Sequence, residues 1–182
     1  KFNKIIEFIN YIKPVEGRLQ SIGNIKNNSK VILDYAHTPD ALKYTLESIR
    51  EQFNQSSISI VFGCGGDRDK NKRPIMGKIV NQYCDKIFLT DDNPRYENPK
   101  KIRNQIKKKI ENHKLIEIAS RKNAIKTAIE KLNSGDILVV AGKGHEIYQE
   151  YRGRKKIFSD KKHILKEINS KNKKLFKNWK AN

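Results

Sequence analysis

Cysteine, tryptophan and methionine are nearly absent from this chain of 182 residues, which holds two, one and one of them. Cys64 and Cys84 do not form a C-x-x-C pair, and two cysteines in a chain this long make no disulfide framework, so a reducing cytoplasm is the simpler setting. His37, His113, His145 and His163 are scattered, with no H-x-x-x-H spacing, and no metal site is expected. No apolar run approaches the ~18 residues that cross a bilayer, and no signal peptide opens the chain, so no membrane partner is expected. Acidic residues are scarce as well: 20 Asp and Glu against 39 Lys and Arg give a formal charge of +19. That balance admits a basic α/β module for nucleic acid or another polyanion as an alternative reading. The basic residues are mostly Lys, however, and spread along the whole length with no compact basic and aromatic cluster. A solvated Lys-rich surface explains them better, and nucleic acid is not expected.

Two nucleotide signatures are also missing. "GCGGDR" places Arg68 where a dinucleotide fingerprint needs its third glycine. "VVAGKGHE" follows Gly-Lys with Gly144, which lacks the hydroxyl that would hold Mg²⁺ in a P-loop.

What is present is a repeating rhythm. Residues 1–13 carry Ile5, Ile6, Phe8, Ile9 and Ile12 near a helical period, closed by Pro14. Val31 to Leu33 form an apolar run suited to a strand buried on both faces, and Thr38, Pro39 and Asp40 then start a helix bearing Ala41, Leu42, Leu46 and Ile49. The unit recurs with strands at 58–63, 86–90, 115–119 and 136–142 and helices near 72–83, 99–111 and 121–132. "KKIFSD" reads as a last strand and "DKKHILKEI" as a closing helix. Alternation of this kind predicts an α/β fold, a Rossmann-like, mostly parallel sheet with helices on both faces. In such sheets ligands gather at the carboxyl ends of the strands. The clusters Asp34 to His37, Gly63 to Asp69, Asp91 to Arg95 and Gly142 to Glu146 all follow strands, so they are expected to share one rim.

The stretch "TDDNPR" is the most telling of them. An Arg guanidinium binds a carboxylate bidentately, while Asp and Asn accept hydrogen bonds from an ammonium group, so Asp92, Asn93 and Arg95 on one turn suit a zwitterion. Pro94 restricts that turn in advance. The same residues also make a good turn and helix-start signal, and Asp67, Arg68 and Asp69 serve either as a charged fork facing a ligand or as a salt-bridged tight turn.

"PVEGR" at 14–18, "DYAHTPDAL" at 34–42, "GCGGDRDKNKRPIMG" at 63–77, "TDDNPR" at 90–95 and "AGKGHEIYQ" at 141–149 together resemble the C-terminal domain of the Mur ligases, of the diaminopimelate-adding type. The resemblance covers nearly the whole chain from about residue 14. It implies an ATP-dependent, amide-bond-forming enzyme of peptidoglycan synthesis that couples an amino acid to UDP-MurNAc-L-Ala-D-Glu through an acyl phosphate. It further implies that Arg68, Asp92, Asn93, Pro94, Arg95, Gly142 and Glu146 bind meso-diaminopimelate, with Arg95 marking the kind that adds it in place of L-lysine. Arg18 and Asp34 are implied as contacts to ATP, with His37 and Lys143 on the phosphate side. Family members carry upstream domains for the UDP-sugar and for ATP and Mg²⁺. The expectation is therefore that residues 1–18 are the end of a central ATPase domain and its hinge, and that 19–182 are the amino-acid-binding domain. By itself this piece is expected to be an inactive, cytoplasmic monomer.

Overall fold

The computed structural model describes residues 15–181, with side chains through 177. The expected helix over 1–13 lies outside the described residues. A short strand β1 (Gln20–Ser21) runs antiparallel to β2 (Lys30–Asp34). Helix α1 (Pro39–Gln52) then leads to β3 (Ile58–Phe62), α2 (Lys72–Tyr83), β4 (Lys86–Leu89), α3 (Pro99–Lys107), β5 (Leu115–Glu117), α4 (Arg121–Glu130) and β6 (Ile137–Ala141). The sheet order is β1-β2-β6-β3-β4-β5, with every pair parallel except the first.

Right-handed crossovers explain the layering. The chain moves in one direction from β2 to β3, β4 and β5, which puts α1, α2 and α3 on one face. It then returns from β5 to β6 at the centre, which puts α4 on the other. Strand alternation fits this division: Ile137, Val139 and Ala141 join Leu42, Leu46, Met76 and Ile106 in one core, while Leu138 and Val140 join Ile125, Ile129 and Ile164 in the second. The central strands are apolar on both faces because both are covered.

Local chemistry sets the helix starts. Thr38 Oγ1 accepts from Ala41 N at 3.3 Å and Pro39 opens α1, while Asn98 Oδ1 caps Lys100 N and Lys101 N ahead of α3. α3 ends at Lys107, short of the expected 111, and β5 is likewise shorter than expected.

The C-terminal part departs most from expectation. "KKIFSD" does not add a strand to the main sheet. Residues Arg154–Ile157 form β8, which pairs antiparallel with an unforeseen β7 (Tyr148–Tyr151) in a separate hairpin. The turn Arg152-Gly153 lets the chain fold back on itself, and the run is too polar to be buried on both faces of a parallel sheet. The closing helix α5 (Asp160–Ala181) packs on α4 and extends well beyond the expected segment. Among the described residues no helix is long and apolar enough to cross a membrane.

Candidate functional site

The four post-strand clusters do meet. A cavity of about 460 Å³ opens at the carboxyl ends of β2, β3, β4 and β6. The loop after β2 lines it with Tyr35, His37, Thr38 and Pro39, and the loop after β3 with Gly63, Cys64, Gly65, Arg68, Asp69 and Lys72. The loop after β4 adds Asp92, Asn93 and Arg95, and the loop after β6 adds Gly142 and Glu146.

Two of these loops are laced together. Gly66 N donates to Asn93 O at 2.9 Å, and Arg95 Nη1 donates to Gly66 O at 2.7 Å. A Cβ at Gly66 would lie 1.9 Å from Pro94 O, so only glycine permits this approach. Pro94 itself is buried and does not line the cavity; it shapes the turn from behind. Arg95 has φ +50, a left-handed conformation uncommon for arginine, and backbone bonds hold it there: Arg95 N donates to Glu150 O at 3.1 Å and Arg152 N to Arg95 O at 2.6 Å. Arg68 is exposed at the rim, its Nη1 donating to the neighbouring Asp67 O at 3.2 Å. The Asp residues beside it stabilise the turn, since Asp67 Oδ2 accepts from Tyr96 N and Asp69 Oδ1 from Asn71 N.

Behind the rim lies a polar floor. Asn93 Nδ2 donates to Glu146 Oε2 at 3.0 Å, and Asn93 Oδ1 accepts from Lys143 Nζ and Glu150 N. Burial pushes the Glu146 carboxyl up in pKa, but the bond and charge of Lys143, with Asn93 and Arg95 assisting, outweigh it and hold the group below its ordinary value. Asp92 Oδ1 accepts from Asn93 N at 2.7 Å, whereas Asp92 Oδ2 is buried with no hydrogen-bond partner among the described residues. Arg121 Nη1, equally without one, stands 3.8 Å from that oxygen. Gly142, at φ +108, brings the backbone to Asp92 Oδ2 where a Cβ would stand at 3.1 Å.

Two expected roles are revised by geometry. Lys143 does not face a phosphate: its side chain is wholly buried, donating to Asn93 Oδ1 at 2.9 Å and Glu146 Oε2 at 2.7 Å. The left-handed glycines Gly142 and Gly144 on either side turn it inward. Asp34 is buried and does not line the cavity; it accepts from Ala36 N, Thr45 Oγ1 and, at 2.7 Å, Leu19 N. It fixes the approach of the 15–19 segment instead of offering a carboxylate to a ribose. Arg18 also stands outside the cavity lining, its guanidinium 4.6 Å over the ring of Tyr35, which does line it. His37 is at the rim, with Nδ1 2.9 Å from Tyr35 O.

Several site residues escape sequence reading. Arg73 is fully buried and grips Glu97 through Nη1 at 2.9 Å and Nη2 at 2.8 Å, also donating to Gly65 O and Gln105 Oε1. Gln149 Nε2 and the Tyr151 hydroxyl reach from β7 to Asp91 and Asp92, and Glu150 Oε2 lies 3.7 Å from Arg95 Nε. The polar alternation of 148–151 behind a glycine-rich loop was the available signal for that strand.

Glu97 gives a pH prediction. The Arg73 hydrogen bonds, opposed by burial and aided by Asp67 N and the charges of Arg73 and Lys70, lower its pKa from 4.5 to about 2. A depressed carboxyl contributes stability that is full above 4.5 and lost as pH falls toward about 2. Urea midpoints of the chain and of Glu97→Gln are therefore expected to differ most above pH 4.5 and to converge toward pH 2.

Residues 17–144 match the family described as Mur ligase, glutamate ligase domain. The UDP-N-acetylmuramoyl-L-alanyl-D-glutamate–2,6-diaminopimelate ligase of Rickettsia felis is 46% identical over 166 residues, covering 91% of this chain and 31% of that protein. Its Buchnera aphidicola namesake is 46% identical over 170 residues, covering 92% and 33%. This chain thus spans about a third of the length of these relatives. A solved structure of a ligase of the same name superposes with TM-score 0.79 at 37% identity, covering 93% of this chain and 35% of that one. The UDP-N-acetylmuramate-alanine ligase of Thermotoga maritima, at 17% identity and TM-score 0.58, shares the fold.

Proposed function

Because this chain belongs to the Mur ligase family as its C-terminal domain, we propose that it is the amino-acid-binding part of an ATP-dependent ligase that adds meso-diaminopimelate to UDP-MurNAc-L-Ala-D-Glu. The observation that carries this reading is the convergence of Arg68, Arg95, Asp92, Asn93 and Glu146 on one cavity, with Asp92 Oδ2 accepting no hydrogen bond from the described residues. Two guanidinium groups suit a distal carboxylate, and the Asp92 carboxylate, with one oxygen free of hydrogen bonds from the described residues, suits with Glu146 an ammonium group. A diamino diacid offers both, whereas L-lysine lacks the second carboxylate.

ATP supplies the phosphoryl group that activates the acceptor carboxylate. This chain's residues orient the incoming amino acid so that its other amine faces the activated carbon, a positioning role. Asn93 and Lys143 hold Glu146 in place, and the hairpin holds Asn93 and Arg95. Arg18, stacked on Tyr35 at the mouth, is the group proposed to meet ATP phosphates, with His37 beside it. Mg²⁺ that accompanies ATP is proposed to be held mainly by the upstream domain that the family carries.

Calorimetric titration with meso-diaminopimelate and with L-lysine tests the reading. The chain is expected to prefer the diacid. Arg95→Ala removes a charged contact worth about 1.5–3 kcal/mol, roughly ten- to a hundredfold in affinity, and with it the preference. Equal affinity for both amino acids, or heat with oligonucleotide alone, would refute it.

A further inference from the structure

Neither Arg73 nor Glu97 lines the cavity, yet between them they hold both arginine-bearing loops. Arg73, on the first turn of α2, presents two parallel bonds to the Glu97 carboxylate and one, at 3.1 Å, to Gly65 O in the loop after β3. Glu97, two positions beyond Arg95, returns Oε1 to Asp67 N at 2.6 Å, and Asp67 immediately precedes Arg68. The positions of Arg68 and Arg95 thus refer to one buried ion pair. Tyr96 N to Asp67 Oδ2 at 3.1 Å and Gly66 N to Asn93 O at 2.9 Å run alongside it.

A buried ion pair is weak evidence for stability, because desolvation offsets the Coulomb attraction and an apolar pair often does as well. Its use here is directional. A bidentate fork fixes both distance and orientation, which apolar packing between two loops does not. Asp67 at φ +52 and Arg95 at φ +50 are both in the left-handed region, and the clasp lies next to each, where loops under local strain need an external restraint. The side chain of Arg73 is wholly excluded from water and that of Glu97 is only 19% exposed, so the pair is shielded from screening by salt.

We propose that Arg73 and Glu97 are positioning residues that set the separation of Arg68 and Arg95, and so confer selectivity for an amino acid carrying a distal carboxylate. The inference rests on the diaminopimelate reading above. Its mechanism is separable from that reading, because the clasp acts only on the arginine end. L-lysine, which has no second carboxylate to grip, reads the remainder of the cavity.

The test uses calorimetry on the chain, Glu97→Gln and Arg73→Lys, each titrated with meso-diaminopimelate and with L-lysine, alongside thermal denaturation. Glu97→Gln keeps the shape and removes the charge, while Arg73→Lys keeps the charge and removes the fork. Both are expected to weaken diaminopimelate about tenfold and to leave L-lysine affinity unchanged, with a cooperative transition retained. A clasp that only stabilised the fold would lower both affinities together, or neither. Should either variant lose its transition, Arg73→Met with Glu97→Leu replaces the pair by apolar side chains and carries the same comparison. Preference for the diacid in the unaltered chain and equally in the variants would overturn the clasp alone. Absence of preference in the unaltered chain would remove the site reading, and the clasp with it.

Discussion

Arg121→Met is expected to destabilise the domain by about 3–5 kcal/mol, because it strands a buried carboxylate. Arg121 opens α4 and is 1% exposed; Asp160 opens α5 and is 0% exposed. Nε donates to Asp160 Oδ1 at 2.8 Å, Nη2 to Asp160 Oδ2 at 2.7 Å, and Nη2 also to Ala141 O at 2.8 Å. One guanidinium therefore joins two helices to the carboxyl end of β6, directly behind Asp92. Methionine fills most of the volume but offers Asp160 no donor and leaves Asp92 Oδ2 without its nearest positive charge. Adding Asp160→Leu is expected to restore most of the loss, since removing both charges is far less costly than removing one. Urea unfolding of the two single variants and the double variant closes the cycle. A single-variant cost below about 1 kcal/mol would mean that water reaches the pair and screens it.

Gly66→Ala is expected to have the second large effect, and on binding more than on folding. The added methyl would meet Pro94 O at 1.9 Å and Pro94 C at 2.7 Å, both backbone atoms that cannot rotate away. The two loops must then part, lengthening the bonds from Gly66 N to Asn93 O and from Arg95 Nη1 to Gly66 O. Overpacking of this kind costs about 1–3 kcal/mol of stability. Displacing Arg95 together with Asn93 is expected to lower diaminopimelate affinity by about a hundredfold, as loss of more than one charged contact does. Calorimetry on the folded variant measures it. Retained affinity would show that the loops separate without moving the arginine.

Both effects concern groups that the sequence displays without explaining. "GCGGDR" shows that the loop is tight, but only the structure identifies Pro94 O as the reason. Arg121 reads as one more charge at the start of an amphipathic helix. Of the nine arginines, Arg73, Arg103 and Arg121 are buried in ion pairs, although sequence counting would credit them to a basic surface. Lys143 misled in the same way. The family resemblance puts it on the phosphate side, yet the left-handed angles of its flanking glycines direct the ammonium down to Asn93 and Glu146.

The strands, their alternation with helices and the shared rim were legible because they follow from local periodicity and from the handedness of crossovers. Asn93, Arg95, Arg68 and Glu146 could be placed on one rim because polar clusters after the strands of a parallel sheet gather at its carboxyl edge. The partners of those residues could not be named. The fork from Arg73 to Glu97, the pair of Arg121 with Asp160, and the hairpin strand that grips Asn93 all join positions distant in the chain, and no local propensity encodes such contacts. Sequence by itself determined which polar groups gather at the sheet's rim; tertiary packing decided which charges balance them, because burial makes every ion answer to whatever neighbour the fold brings within bonding distance.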